Sequence, residues 1–159
     1  MTDREILISL MENSVGVFPS NWGTLLPLDK WEGITTNEDG CVIRLVLMSI
    51  KELSSDIGAL TNLTSLRLSC LDLTSLPLSI GNLTNLTSLE LSCDNLTSLP
   101  SSIGNLTNLT SLELSCYNLT SLPESIGNLT NLIRLTLCCS NLTSLPSSIG
   151  NLTNRQVYI

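Results

Sequence analysis

Four cysteines recur every 23 residues, at Cys70, Cys93, Cys116 and Cys139. On successive rungs of stacked strands, about 4.8 Å apart, neighbouring thiols could pair or hold a soft metal. Zinc centres, however, draw their ligands from close pairs such as CxxC, commonly with histidine, and the chain contains no histidine. The column therefore reads as reduced, buried thiols that behave as small hydrophobes. Cys138, next to the last of them, falls on the opposite face and is expected to be the more reactive thiol. Glu90 and Glu113 also stand one period apart. Paired carboxylates do acid–base work only where their surroundings split their pKa values, and on an open sheet they are two solvated acids. The chain has no nucleophile–base constellation and no glycine-rich phosphate loop. The reading therefore assigns no catalytic residue, no metal and no cofactor, and points away from an enzyme.

The elements that must position these residues follow from the repeat. Ile80 opens the block IGNLTNLTSLELSCDNLTSLPSS, which returns with small changes at Ile57, Ile103 and Ile126, while Ile149 opens a partial copy. A fixed period of this length marks a solenoid, in which each copy buries its apolar face against its neighbours. Counting Leu86 as position 1, Leu89, Leu91 and Cys93 stand at positions 4, 6 and 8. Period two predicts a short strand with these three side chains facing inward. Pro100 ends the strand pairing, and Ile103 with Leu106 suits a short helical or 3-10 turn on the outer side. Stacked strands then form a parallel sheet lining the concave face.

The outward positions form columns. Strict period places Val42, Ser65, Ser88, Ser111 and Arg134 at position 3, and Arg44, Arg67, Glu90, Glu113 and Thr136 at position 5. Position 7 holds Val46, Ser69, Ser92, Ser115 and Cys138, and position 9 holds Met48, Leu71, Asp94, Tyr117 and Ser140. Only columns that vary can encode a particular partner. Arg44, Arg67, Leu71, Glu90, Asp94, Glu113 and Tyr117 are therefore candidates for a protein-binding face, with Tyr117 as aromatic anchor. The alternative is a set of solvated strand residues pairing across rungs. At position 10, Asp72, Asn95, Asn118 and Asn141 are expected to hold the turn through side chain–backbone hydrogen bonds.

Residues 1–40 form a distinct N-terminal cap and residues 41–159 the repeats. Thr2 and Glu5 have the spacing of a capping box, and Ile6, Leu7, Leu10 and Met11 lie on one helical face, which predicts a helix from Asp3 to Asn13. From Ser14 to Gly40, proline, glycine, Trp22 and Trp31 predict irregular structure pinned by indole packing. The net charge of −7 is concentrated in the cap, which carries −5 of it. An acidic chain without a basic run suits neither nucleic acid nor an anionic membrane. No apolar stretch is long enough for a spanning helix, and MTDREILISL lacks a secretory h-region, so the expected location is cytoplasmic. Ten N-x-S/T sequons arise from the repeated NLT and serve turns rather than glycans.

Asn21-Trp22, Trp31-Glu32-Gly33-Ile34 and Gly40-Cys41-Val42 running into Leu45-Val46-Leu47 resemble the N-terminal cap of leucine-rich-repeat proteins of the plant receptor-like kind. The LxxLxL and LxxLPxxIGNLxNL segments resemble the 23-residue, LP-containing class of the same superfamily. The resemblance implies a right-handed α/β leucine-rich-repeat solenoid acting as a protein–protein interaction scaffold. The family's cap cysteine falls on Thr36, so its usual disulfide cannot form. The family's inward asparagine at position 9 is replaced by variable residues, so that position is expected to face solvent. Family spacing from Trp31 would place Leu45, rather than Ile43, at position 4. At the far end, Arg155 to Ile159 make half a strand with arginine where the repeats carry leucine. An exposed sheet edge there predicts a homodimer through the C-terminal repeat.

Overall fold

The computed structural model describes residues 1–153 and, as backbone, residues 156–158. Helix α1 spans Asp3–Asn13, the range expected from its capping box. The Thr2 hydroxyl accepts from the Glu5 N–H at 3.3 Å, and the Glu5 carboxylate accepts from the Thr2 N–H at 2.7 Å. Ile6, Leu7 and Leu10 are buried, so the helix closes one end of the apolar column. Its carboxylate Asp3 receives the Val42 N–H at 2.6 Å, which ties the helix to the first rung.

The strands are β1 (Val15–Gly16), β2 (Ile34–Thr36), β3 (Val42–Met48), β4 (Ile50–Glu52), β5 (Ser65–Ser69), β6 (Ser88–Ser92), β7 (Ser111–Leu114), β8 (Arg134–Leu137) and β9 (Gln156–Tyr158). Strands β2, β3 and β5 to β9 form one seven-stranded sheet in that order, and β1 with β4 a separate pair. From β3 to β9 every pairing is parallel, and β2 runs antiparallel to β3. Each repeat returns through a five-residue 3-10 turn such as Ser101–Asn105. Proline starts four of these turns, because its fixed φ suits the first position and its missing N–H is not needed there. Parallel connections of this kind take the right-handed sense, and the architecture is the expected α/β solenoid. Its core is continuous from Ile6 to Leu152 and consists mainly of leucine. No helix among the described residues is long and apolar enough to cross a membrane.

From Ser14 to Gly40 the cap is largely irregular and pinned by indole packing, as expected, with only short elements at Val15–Gly16, Leu28–Lys30 and Ile34–Thr36. Phe18, Trp22 and Trp31 stack in series with centroids 5.3 and 5.8 Å apart, and Arg4 lies 4.9 Å over Trp31. Arg4 also donates to the carbonyls of Thr24 and Leu26. The division expected at residue 40 falls within the β2–β3 hairpin. Arg155 and Ile159 of the terminal half-strand lie outside the described residues, as does the Val157 side chain.

Register corrects the first outward columns. Arg44 pairs with Ser65, Leu45 with Leu66, Val46 with Arg67, and Met48 with Ser69. Leu45 therefore occupies position 4, as family spacing has it, and the strict-period columns are two residues out on this rung. The first repeat is two residues shorter than the next, 21 from Leu45 to Leu66 against 23 from Leu66 to Leu89. Pairing with β2 also puts an irregularity between Thr35 and Thr36, opposite Arg44 and Val42, with Ile43 the extra residue of β3. That extra residue turns Val42 inward, where it is buried instead of facing out.

Asp56 locks α1 to the first turn. Its carboxylate accepts from the Ser9 hydroxyl, the Asn13 amide and the Ser54 hydroxyl, each at 2.9 Å. These bonds, that of Asn13 foremost, hold its pKa below the ordinary aspartate value. A depressed folded pKa gives stability that is complete above the unfolded value and is lost as pH falls through the folded one. Asp56→Asn should therefore destabilise the protein at neutral pH, and the gap to the wild type should shrink in acid below about pH 4. Denaturant titrations at several pH values check this, and a constant gap would refute the role.

Candidate functional site

The concave face is built by the odd positions of β3 and β5 to β8. Alternation along each strand sends Leu66, Leu68, Leu89, Leu91, Leu112 and Leu114 into the core and leaves their neighbours facing out. In the position-5 column Arg67 stands beside Glu90, and Glu90 beside Glu113. The Arg67 guanidinium lies 3.2 Å from the Glu90 carboxylate, so one of the two stacked acids is neutralised. Glu113 and Asp94 have no cation within salt-bridge distance among the described residues. Leu71, Asp94 and Tyr117 are all exposed at position 9, with Tyr117 56% accessible. Arg44 is also exposed on this face, but opposite Ser65 at position 3. It is therefore separated from Arg67, contrary to the single column the strict period implied.

The asparagines of position 10 do something other than expected. Asn141 donates to the Asn118 side chain at 3.4 Å and Asn118 to that of Asn95 at 3.3 Å, a ladder between rungs rather than side chain–backbone bonds within a turn. Identical amides at equal height on adjacent rungs can serve as donor and acceptor in turn. Side chain–backbone bonds come instead from Asn85, Asn108 and Asn131, which donate to the carbonyls of Thr61, Thr84 and Thr107 at 2.8–2.9 Å.

The thiol column lies inward. Cys70, Cys93 and Cys116 are fully buried, Cys139 is half-buried and Cys138 exposed. Each of the four donates to a carbonyl of the preceding rung, from Cys70 to Leu47 at 3.6 Å through Cys139 to Leu114 at 3.4 Å. Among the described residues no three histidine, cysteine, aspartate or glutamate side chains group closely enough to hold a metal. The thiol contact with Cys70, together with burial, pushes Cys93 up, and contact with Cys139 does the same to Cys116. Cys139 itself is brought down to about 7 by the Cys116 thiol beside it. Maleimide labelling followed by peptide mass spectrometry should therefore find Cys139 modified alongside Cys138, at a rate rising through a midpoint near 7. The three buried thiols should lag far behind. Equal labelling of all the cysteines would overturn this order.

A pocket at the N-terminal end of the face escaped the sequence reading. Its volume is about 210 Å³, and its lining includes Val17, Phe18, Glu32, Gly33, Val46 and Met48. The wall from the cap is held by the Val17 N–H donating to the Ser49 carbonyl at 3.2 Å and the Val46 N–H donating to the Gly33 carbonyl at 2.8 Å. Gly33 has φ +79°, and a Cβ there would meet the Val46 oxygen at 2.6 Å, so only glycine permits this approach. That glycine inside WEGI was the one available signal, but its partner lies outside the repeat.

Residues 81–157 match the family model for a leucine-rich repeat region. No curated protein matches the chain. A solved leucine-rich-repeat protein of Leptospira interrogans is 40% identical over 71% of this chain and 29% of its own, with a TM-score of 0.65. The ectodomain of the receptor kinase SOBIR1 from Arabidopsis thaliana is 20% identical over 99% of this chain and 90% of its own, with a TM-score of 0.73. A plant ice-binding protein is 23% identical over 98% of this chain, with a TM-score of 0.71, and the chain spans 56% of its length. The likeness to the two plant structures is one of fold. Repeat period, parallel sheet, 3-10 turns and family match together make this chain a leucine-rich-repeat protein.

Proposed function

We propose that the chain is a non-enzymatic protein–protein interaction scaffold that binds a partner on its concave sheet face. Solenoids of this kind commonly present an extended concave surface to other proteins. The observation that carries the reading is the contrast between columns. Positions 3 and 7 are serine on three successive rungs, Ser65, Ser88 and Ser111 and Ser69, Ser92 and Ser115, whereas on those rungs position 5 passes from Arg67 to Glu90 and Glu113, and position 9 changes at every step, from Leu71 to Asp94 to Tyr117. A purely structural face has no need of that variation. The six cysteines form no disulfide, which fits a reducing, cytoplasmic location.

The test is a variant carrying Arg67→Ala, Glu90→Ala, Asp94→Ala and Tyr117→Ala. These side chains leave the core untouched, so the fold should survive. A partner captured by the wild type, then shown to bind directly as a purified protein, should lose at least tenfold in affinity. Unchanged affinity, or capture of nothing but further copies of the chain, would sink the concave reading.

A further inference from the structure

We infer that the pocket between the cap and the first rung is an anchor site for one aliphatic or aromatic side chain of an extended, basic segment of the partner. The inference rests on the concave-face reading and deepens it. The pocket opens on that face, because Val46 and Met48 are outward residues of β3 and stand beside Arg67 and Ser69 of the next rung. Its lining is mostly carbon, and Val17 and Met48 are 71% and 59% exposed without a covering group. A space of about 210 Å³ suits a single large apolar side chain. Apolar pockets with a few polar groups at the rim are the usual form of such sites.

Charge decides what accompanies the anchor. Glu32 stands at the pocket, Glu90 is already paired to Arg67, and Asp94 and Glu113 lie two and three rungs further on without a cation among the described residues. A segment crossing the strands covers each rung in about 4.8 Å and spans about 3.3 Å per residue. An apolar residue in the pocket thus brings the side chain four positions away back to the same face, close to the rungs of Asp94 and Glu113. Lysine or arginine at that position complements the acids and is steered to them.

The probe is a random dodecapeptide library on phage, panned against the immobilised full chain. Enriched peptides should carry Leu, Ile, Met or Phe with Lys or Arg four positions away. An enriched peptide, made with a fluorescein label, should bind the double variant Val17→Asp, Met48→Asp at least tenfold more weakly than the wild type. Both substituted residues are exposed, and matching circular dichroism spectra would show that the fold is kept. Asp94→Lys with Glu113→Lys should also weaken binding and flatten its salt dependence. If charge reversal weakens binding but the pocket variant does not, the anchor is wrong and the concave face stands. If neither variant weakens it, both readings fall. A library with no binder above background counts against the pocket as a peptide site.

Discussion

Replacing Gly104 by alanine should destabilise the protein by about 1–3 kcal/mol, the cost of overpacking a tight interior. An added Cβ would meet the Ser125 carbonyl oxygen at 2.5 Å and the Ser125 Cβ at 2.7 Å. The nearest obstacle is a backbone oxygen and the next a Cβ bonded to that same backbone, so neither can swing away. It is also held on both sides, since the Ile103 N–H donates to Pro100 and the Ile126 N–H to Pro123, each at 3.0 Å. The same approach recurs where Gly81 meets the Ser102 oxygen at 2.5 Å and Gly127 the Ser148 oxygen at 2.6 Å. Glycine is thus required because successive outer turns stack backbone on backbone, and not for a left-handed φ. Gly150 supplies the control, because a Cβ there meets nothing within 4 Å among the described residues, so Gly150→Ala should lie within about 0.5 kcal/mol of the wild type. Urea denaturation with unchanged m-value would measure both. Equal midpoints for the two variants would refute the stacking argument.

Truncating the centre of the column should cost more. Leu112 is fully buried and pairs in register with Leu89 on one side and Leu135 on the other. Leu112→Ala should lower stability by about 2–5 kcal/mol, combining lost burial with the cavity left behind. Leu145, 38% exposed near the end of the repeats, should lose far less when truncated. Each rung of a solenoid leans only on its neighbours, so the damage should also be local. Hydrogen exchange should show protection falling first in β7 and β8, while α1 and β5 keep theirs until global unfolding. A uniform loss of protection would mean that the chain unfolds as one unit and that the nearest-neighbour picture is wrong.

Much of the candidate site was legible because it follows from short-range rules repeated in phase. Tyr117 and Asp94 face out because Cys116 and Cys93 before them face in, and the period carries that alternation from one copy to the next. The asparagine ladder was misassigned for a related reason. A single copy offers Asn118 only its own backbone, whereas the stack supplies an identical amide on each neighbouring rung. Arg44 was placed on the right face but in the wrong column, because the first repeat is two residues shorter than the period that governs the later ones.

By itself the sequence determined the helix from Thr2's capping box, the inward set at positions 4, 6 and 8, and the turn after each proline. These depend on backbone sterics and on a burial pattern read within a few residues. Only the tertiary structure decided the register of β3, the inward turn of Val42 and the pocket beneath Val17. Each arises where the non-repeating cap meets the first repeat: Thr36 against Val42, Gly33 against Val46, Val17 against Ser49. No period relates those pairs, so nothing shorter than the folded chain brings them together.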